Sequence, residues 1–157
     1  MIKKVIIIAE AGVNHNGDIE KAKKMIDAAA EAKVDYIKFQ SFVAEKLVSP
    51  NAKKAEYQIK NIGDGDDSQY KMLKKLELSD DHHKELIKYC KERKINFLST
   101  AFDVDGVDYL DSLNIDVFKI PSGEITNYPY LKRVSQKGKK VILSSGMSNL
   151  LEIEAAL

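Results

Sequence analysis

An α/β fold built of five consecutive strand–helix units is what this sequence predicts, on three observations. Five short apolar runs, Val5–Ala9, Val34–Phe39, Ile95–Ser99, Ile115–Ile120 and Val141–Ser144, are rich in Ile, Val and Phe and largely free of charge. That is the composition of strands buried on both faces. Segments of helical periodicity lie between them, and this alternation builds right-handed βαβ units around a parallel sheet. Each run also ends in polar residues capable of chemistry, so the fold gathers those groups at one end of the sheet.

The first run meets Glu10 with no small-residue cleavage pattern, and it is far shorter than the roughly 20 residues of a membrane span. It reads as a strand, and the protein as cytoplasmic. The loop Glu10-Ala-Gly-Val-Asn-His-Asn-Gly17 turns sharply into Asp18, an N-cap for a helix over Ile19–Lys33. The stripe of that helix is Ala22, Met25, Ile26, Ala29 and Ala30. After the second strand, Ser41–Leu78 is far longer than a βα loop of about 2–6 residues. It holds the polar stretch Asn61–Ser68 and a helix-like Gln69–Leu78, and an insertion at this end of a sheet commonly covers a site. Ser79-Asp-Asp caps a helix over Ser79–Lys94 that repeats Leu86, Ile87 and Cys90. Shorter helices are expected over Val104–Leu113 and Tyr130–Gln136, and Leu150–Leu157 begins another.

Two architectures accommodate these units. One is a doubly wound, flavodoxin-like sheet. The other is the first five βα units of a TIM (β/α)8 barrel, which usually takes about 250 residues. The polar strand ends favour the barrel, whose single mouth collects them. So does Leu150–Leu157, amphipathic and without a C-cap, as expected if residues 1–157 are the N-terminal part of a barrel whose strands six to eight are absent.

Lys plus Arg number 25 and Asp plus Glu 24, which leaves no electrostatic footprint for nucleic acid or an anionic membrane. A single cysteine, Cys90, excludes an intrachain disulfide, fits a reducing compartment and reads as an inert helix residue. His82 and His83 are adjacent, cannot share a helix face, and read as surface residues rather than metal ligands. His15 lies in the loop after the first strand, where a site role is open. No spacing of His, Cys and Asp makes a metal site, and there is no nucleophile elbow, Walker loop or dinucleotide fingerprint.

The strongest functional signal is Lys119-Ile-Pro-Ser-Gly-Glu124, where a buried strand ends in a cation, a hydroxyl and an acid. An unpaired lysine is costly in a strand interior, so it implies an anionic partner. Lys38 and Gln40 lie two apart and share a face with Val34 and Tyr36 that becomes polar toward its carboxyl end. Thr100 ends the third strand; Ser144 and Ser145 end the fifth. Two lysines with these hydroxyls suit a small ligand carrying carboxylate and phosphate. Glu10 is placed to bind a sugar hydroxyl or to act as an acid or base, and the helix start behind its loop can offer N–H groups to an anion or a sugar.

Glu10-Ala-Gly-Val-Asn-His-Asn-Gly17, Lys38-Phe-Gln40, Leu98-Ser-Thr-Ala-Phe102, Lys119-Ile-Pro-Ser-Gly-Glu124, Asn127-Tyr-Pro129 and Leu143-Ser-Ser-Gly-Met147 together resemble the sialic acid synthase family, in order and spacing through the whole chain. Ala11-Gly-Val and Glu124-Ile-Thr126 lean toward its legionaminate or N-acetylneuraminate branch over the pseudaminate branch. The resemblance implies a (β/α)8 barrel followed by a small antifreeze-protein-like domain, in a domain-swapped homodimer. It implies condensation of phosphoenolpyruvate with an N-acetylated mannose-type sugar, with a divalent metal, manganese or magnesium, polarising the aldehyde. By motif, Lys38 and Thr100 would hold the phosphoenolpyruvate carboxylate; Lys119, Ser122 and Ser144 its phosphate. Glu10 and Gln40 would contact the sugar, and Glu124 would stand near the reacting centre as a proton carrier. The family's Ser-Thr-Pro-Phe is here Ser99-Thr100-Ala101-Phe102, and its Ser-Thr-Gly-Met is Ser144-Ser145-Gly146-Met147; neither change removes a ligand group. The metal-ligand histidines and the sugar-binding arginine of the family are expected outside this chain, which by itself is expected to have little or no catalysis.

Overall fold

All five apolar runs become strands: β1 Ile8–Gly12, β2 Tyr36–Ser41, β3 Asn96–Ala101, β4 Val117–Ile120 and β5 Lys140–Leu143. The structure is a computed structural model that describes residues 5–62, 66 and 68–157. β1 starts later than hydrophobicity suggests, and Glu10 lies inside it rather than behind it. Pairing is the reason: the carbonyl of Ile7 accepts the N–H groups of Asp35 at 2.9 Å and Tyr36 at 3.2 Å, so the ladder to β2 begins there and runs on to Gly12. A bulge between Glu10 and Gly12 ends it.

The helices are α1 Ile19–Glu31, α2 Ala44–Leu47, α3 Glu56–Ile62, α4 Gln69–Leu76, α5 Asp80–Glu92, α6 Val104–Ser112, α7 Tyr128–Ser135 and α8 Leu150–Ala156. Asp18, Ser79, Asp103, Asn127 and Asn149 each cap a helix by accepting from a backbone N–H in its first turn. α2 and α3 are too short to show a period in the sequence. The polar stretch Asn61–Ser68 lies partly outside the described residues. α4 seats the insertion at the carboxyl end of the strands: Lys74 and Tyr70 bond Glu45 of α2, and Lys46 of α2 pairs with Asp105 of α6. Gly17 meets the carbonyl of Lys75 so closely that a Cβ would stand 2.2 Å away, and its φ of +77° also calls for glycine.

Every recorded strand pair is parallel. β2 lies between β1 and β3, with Glu10 opposite Lys38 and Gln40 opposite Thr100; β4 pairs β5, with Lys119 opposite Ile142. A flavodoxin-like sheet would put β1 between β2 and β3. The order β1-β2-β3 overturns that alternative. β3 and β4 are neighbours in space but share no ladder, so a seam divides the strands into a three-stranded and a two-stranded sheet.

Two cores follow the same division. Ala22, Ile26, Ile37, Phe39, Leu86 and Cys90 pack α1 and α5 on the first sheet, while Val107, Leu110, Phe118, Tyr130 and Val134 pack α6 and α7 on the second. Buried side chains of this size contribute about 1.5–3 kcal/mol each. The hydroxyl of Tyr130 donates to the carbonyl of Ala101 at 2.9 Å and ties α7 to β3 across the seam. On the face of the strands away from the helices, Ile6, Ile8, Tyr36, Leu98, Val117 and Ile142 line a hollow of about 330 Å³, an apolar floor beneath the polar strand ends.

Candidate active site

Because the strands are parallel, their carboxyl ends share one side of the molecule, and the polar residues stand there in layers. Lys38 Nζ lies 2.6 Å from Glu10 Oε2, the lysine side chain 15% exposed and the glutamate 51%. One layer further on, Gln40 stands beside Thr100, whose Oγ1 is buried without a hydrogen-bond partner among the described residues. Gly12 makes room for both neighbours: a Cβ there would stand 3.3 Å from Glu10 Oε1 and 3.8 Å from Gln40 Nε2.

Across the seam, Lys119 donates to Ser144 Oγ at 2.6 Å and to the carbonyl of Ile120 at 2.7 Å. Its pKa is lowered, first by burial and then by the charge of Lys38, with Glu10 opposing. The two ammonium groups thus feel one another, and Glu10 is the carboxylate set against them. Ser122 opens a single 3-10 turn, Ser122–Glu124, and its Oγ lies 4.0 Å from where a Cβ on Gly146 would be, beside the loop after β5. Glu124 accepts from Asn127 Nδ2 at 2.6 Å, so its carboxylate is engaged at the start of α7. The structure therefore brings Glu10, Lys38, Gln40 and Thr100 together on one sheet and Lys119, Ser144 and Ser122 on the other.

Three expectations change. The start of α1 is no anion cradle, because the Asp18 carboxylate already accepts from the N–H groups of Glu20 at 2.8 Å and Lys21 at 3.2 Å. His15 is fully buried against the Phe39 ring, and its Nδ1 accepts the N–H of Gly17 at 3.0 Å, which braces the loop after β1. His83 is not a surface residue: it is 2% exposed and bonds Ser41, which in turn bonds Ser99. Sequence reasoning missed the burial of His83 and left the role of His15 open. The available signal was the stripe Leu86, Ile87, Cys90, which continues back to His83 at helical spacing. Cys90 is buried, and desolvation pushes its thiol up to about 12, which leaves it unreactive.

A model of the NeuB family matches residues 25–157. The chain belongs to the NeuB family. It is 56% identical over 156 residues to the N,N'-diacetyllegionaminic acid synthase of Campylobacter jejuni subsp. jejuni, a match covering 99% of this chain and 46% of that protein. It is 38% identical over 144 residues to the mouse N-acetylneuraminate-9-phosphate synthase, covering 92% of this chain and 40% of that one. Among solved structures, it superposes with a TM-score of 0.83 on the N-acetylneuraminic acid (sialic acid) synthetase of Leptospira borgpetersenii serovar Hardjo-bovis in complex with citrate. That match is at 34% identity and covers 98% of this chain and 49% of the other. This NeuB-family chain spans less than half the length of each of these relatives. The family resemblance carried by the motifs holds.

Proposed function

We propose that these residues form the N-terminal part of a (β/α)8 barrel in a nonulosonic acid synthase. That enzyme condenses phosphoenolpyruvate with an acetamido sugar to give a nine-carbon 2-keto acid and phosphate. The observation that carries the reading is the pair of neighbouring cations, Lys38 and Lys119, at the ends of strands on either side of the seam. A ligand with an anionic group at each end meets one lysine with each. Lys38 and Thr100 take the carboxylate, with the unpartnered Thr100 Oγ1 as a ready donor. Lys119, Ser122 and Ser144 take the phosphate; an ammonium has three N–H groups, and two of those on Lys119 already point to Ser144 and Ile120. Glu10 and Gln40 face the sugar, and Glu124 carries a proton near the reacting centre.

In that reaction the enol carbon attacks the sugar aldehyde and forms the carbon–carbon bond. Water adds to the resulting oxocarbenium carbon, and the tetrahedral intermediate breaks its bond to the phosphate oxygen. Lys119 holds charge that leaves with phosphate and Lys38 holds the carboxylate that stays in the product, while Glu10 and Glu124 are the acids available for proton traffic. Among the described residues no group of three His, Cys, Asp or Glu side chains is placed to hold a metal ion. These residues do not fit the divalent ion of the family resemblance, and no step is routed through it. A homodimer and a cytoplasmic location belong to the same proposal; no helix among the described residues is long and apolar enough to cross a membrane.

The identity to the diacetyllegionaminic acid synthase, 56% against 38% for the N-acetylneuraminate-9-phosphate synthase, favours a 2,4-diacetamido trideoxy sugar. Phosphate release from phosphoenolpyruvate by the intact protein decides it. Turnover is expected with that sugar and little with N-acetylmannosamine; release with neither refutes the reading. The 157-residue piece by itself is expected to release none.

A further inference from the structure

One buried polar chain has no part in the chemistry just described. On the helix-facing side of β2 and β3, where Ile37 and Phe39 are apolar, Ser41 is 5% exposed, Ser99 0% and His83 of α5 2%. Ser41 Oγ lies 2.7 Å from His83 Nε2 and 2.6 Å from Ser99 Oγ, and His83 Nδ1 lies 3.0 Å from the carbonyl of Ser79. These partners fix every proton. A carbonyl only accepts, so Nδ1 carries the hydrogen; in a neutral ring Nε2 must then accept from Ser41, and Ser41 must accept from Ser99. The chain runs one way, from Ser99 to Ser41 to His83 to the carbonyl of Ser79.

Its position is what gives it a purpose. Ser41 follows Gln40 and Ser99 precedes Thr100, and Gln40 and Thr100 are register partners across the two strands. The β2–β3 ladder already sets the register there, and what the directed hydroxyl bonds add to the apolar contacts is a fixed local twist at the strand ends. We propose that His83, acting through Ser41 and Ser99, is a positioning residue that sets the placement of Thr100 for the phosphoenolpyruvate carboxylate, and with it that of its register partner Gln40. This inference rests on the site reading above.

Its expected pH signature follows from the same protons. Imidazolium has two donors, so a charged His83 would force Ser41 to turn its hydrogen back toward Ser99 and reverse the chain. Burial disfavours that charge, and so do His82 on the same helix and His15 in the loop after β1; Asp80 and the Ser79 carbonyl favour it. Burial dominates and the pKa is lowered. The rings of Tyr109 from α6 and Phe97 from β3 close the site edge-on at 5.4 Å and 6.3 Å.

Titration of phosphoenolpyruvate into the intact protein tests the proposal, together with 15N imidazole spectra. His83→Leu is expected to weaken binding about tenfold, the effect of one misplaced hydrogen-bonding group. His83→Gln, whose amide can accept from Ser41 and donate to Ser79, is expected to bind within about threefold of wild type. The ratio of wild-type to His83→Gln affinity should fall on the acid side. The spectra should show a neutral ring protonated at Nδ1 at pH near 6.5, about the pKa of a free imidazole. A ring protonated at Nε2, or half charged at that pH, overturns the proposal whether or not His83→Leu folds. Equal binding by His83→Leu and wild type, with Lys119→Met impaired, overturns it and leaves the site reading standing. Absence of binding by wild type overturns both.

Discussion

Lys119 uses two of its N–H groups inside the protein, and burial already lowers its pKa. Its ammonium is therefore held at some cost to the fold, and removing it should relieve stability while harming the site. Lys119→Met is expected to weaken phosphoenolpyruvate about 10–100-fold, the range for a lost hydrogen bond to a charged group, with an unfolding midpoint equal to or above wild type. Calorimetric titration and thermal unfolding check the two halves, and a lower midpoint with unchanged affinity would show Lys119 to be structural. At this scale the sequence was informative wherever a polar residue broke an apolar pattern. Lys38, Gln40, Thr100 and Lys119 stand out for that reason. Ser41 and Ser99 do not, because hydroxyls at strand ends are common turn residues, and only the burial of His83 against them shows that they are core.

Side-chain bonds join elements both adjacent and distant in the chain order. Arg133 of α7 makes two hydrogen bonds to Asp108 of α6, each 2.7 Å, and Lys137 joins the same carboxylate at 2.6 Å. Tyr130 of α7 reaches further, to the carbonyl of Ala101 in β3. Tyr130→Phe leaves that buried carbonyl without its donor and is expected to cost about 1–3 kcal/mol. Urea unfolding should show it as a lower midpoint at unchanged slope; no change would mean that the carbonyl finds another donor. Strands and long helices were legible because their periods are long enough to see. The ends of β1 were not, since they depend on where β2 offers partners. Nor were α2, whose docking rests on Glu45 and residues distant in sequence, and α3, only seven residues long. The packing order β1-β2-β3 excludes the flavodoxin-like sheet, an alternative that the strand–helix alternation accommodated although the polar strand ends favoured the barrel.

For the molecule as a whole, two buried histidines set the response to acid. His15 and His83 both have lowered pKa values, chiefly through burial. Below about pH 6.5 the unfolded chain takes up protons at these positions that the folded chain does not, so stability falls as pH falls, by up to about 1.4 kcal/mol per pH unit for each histidine. Above that pH their contribution is complete. Carboxylates act in a lower window: Arg133 and Lys137 hold Asp108 at about 2, and its contribution is lost only below the ordinary carboxylate range. Urea midpoints at pH 7.5 and 5.5 should therefore differ in wild type and converge when both histidines are replaced by Gln. Val141, Ile142, Leu150 and Leu151 are exposed at 37–83%, together with Val5 and Ile6 at the other side of the strands. The seam between β3 and β4 has its own consequence. Lys38 and Thr100 belong to one sheet, Lys119 and Ser144 to the other, and no ladder fixes the gap between them. The span between two charges on a ligand then acts as a ruler laid across that gap. On the proposed function, a molecule with both charges at the right separation is expected to bridge the two sheets, whereas pyruvate or inorganic phosphate, each carrying only one end, is expected to engage a single one.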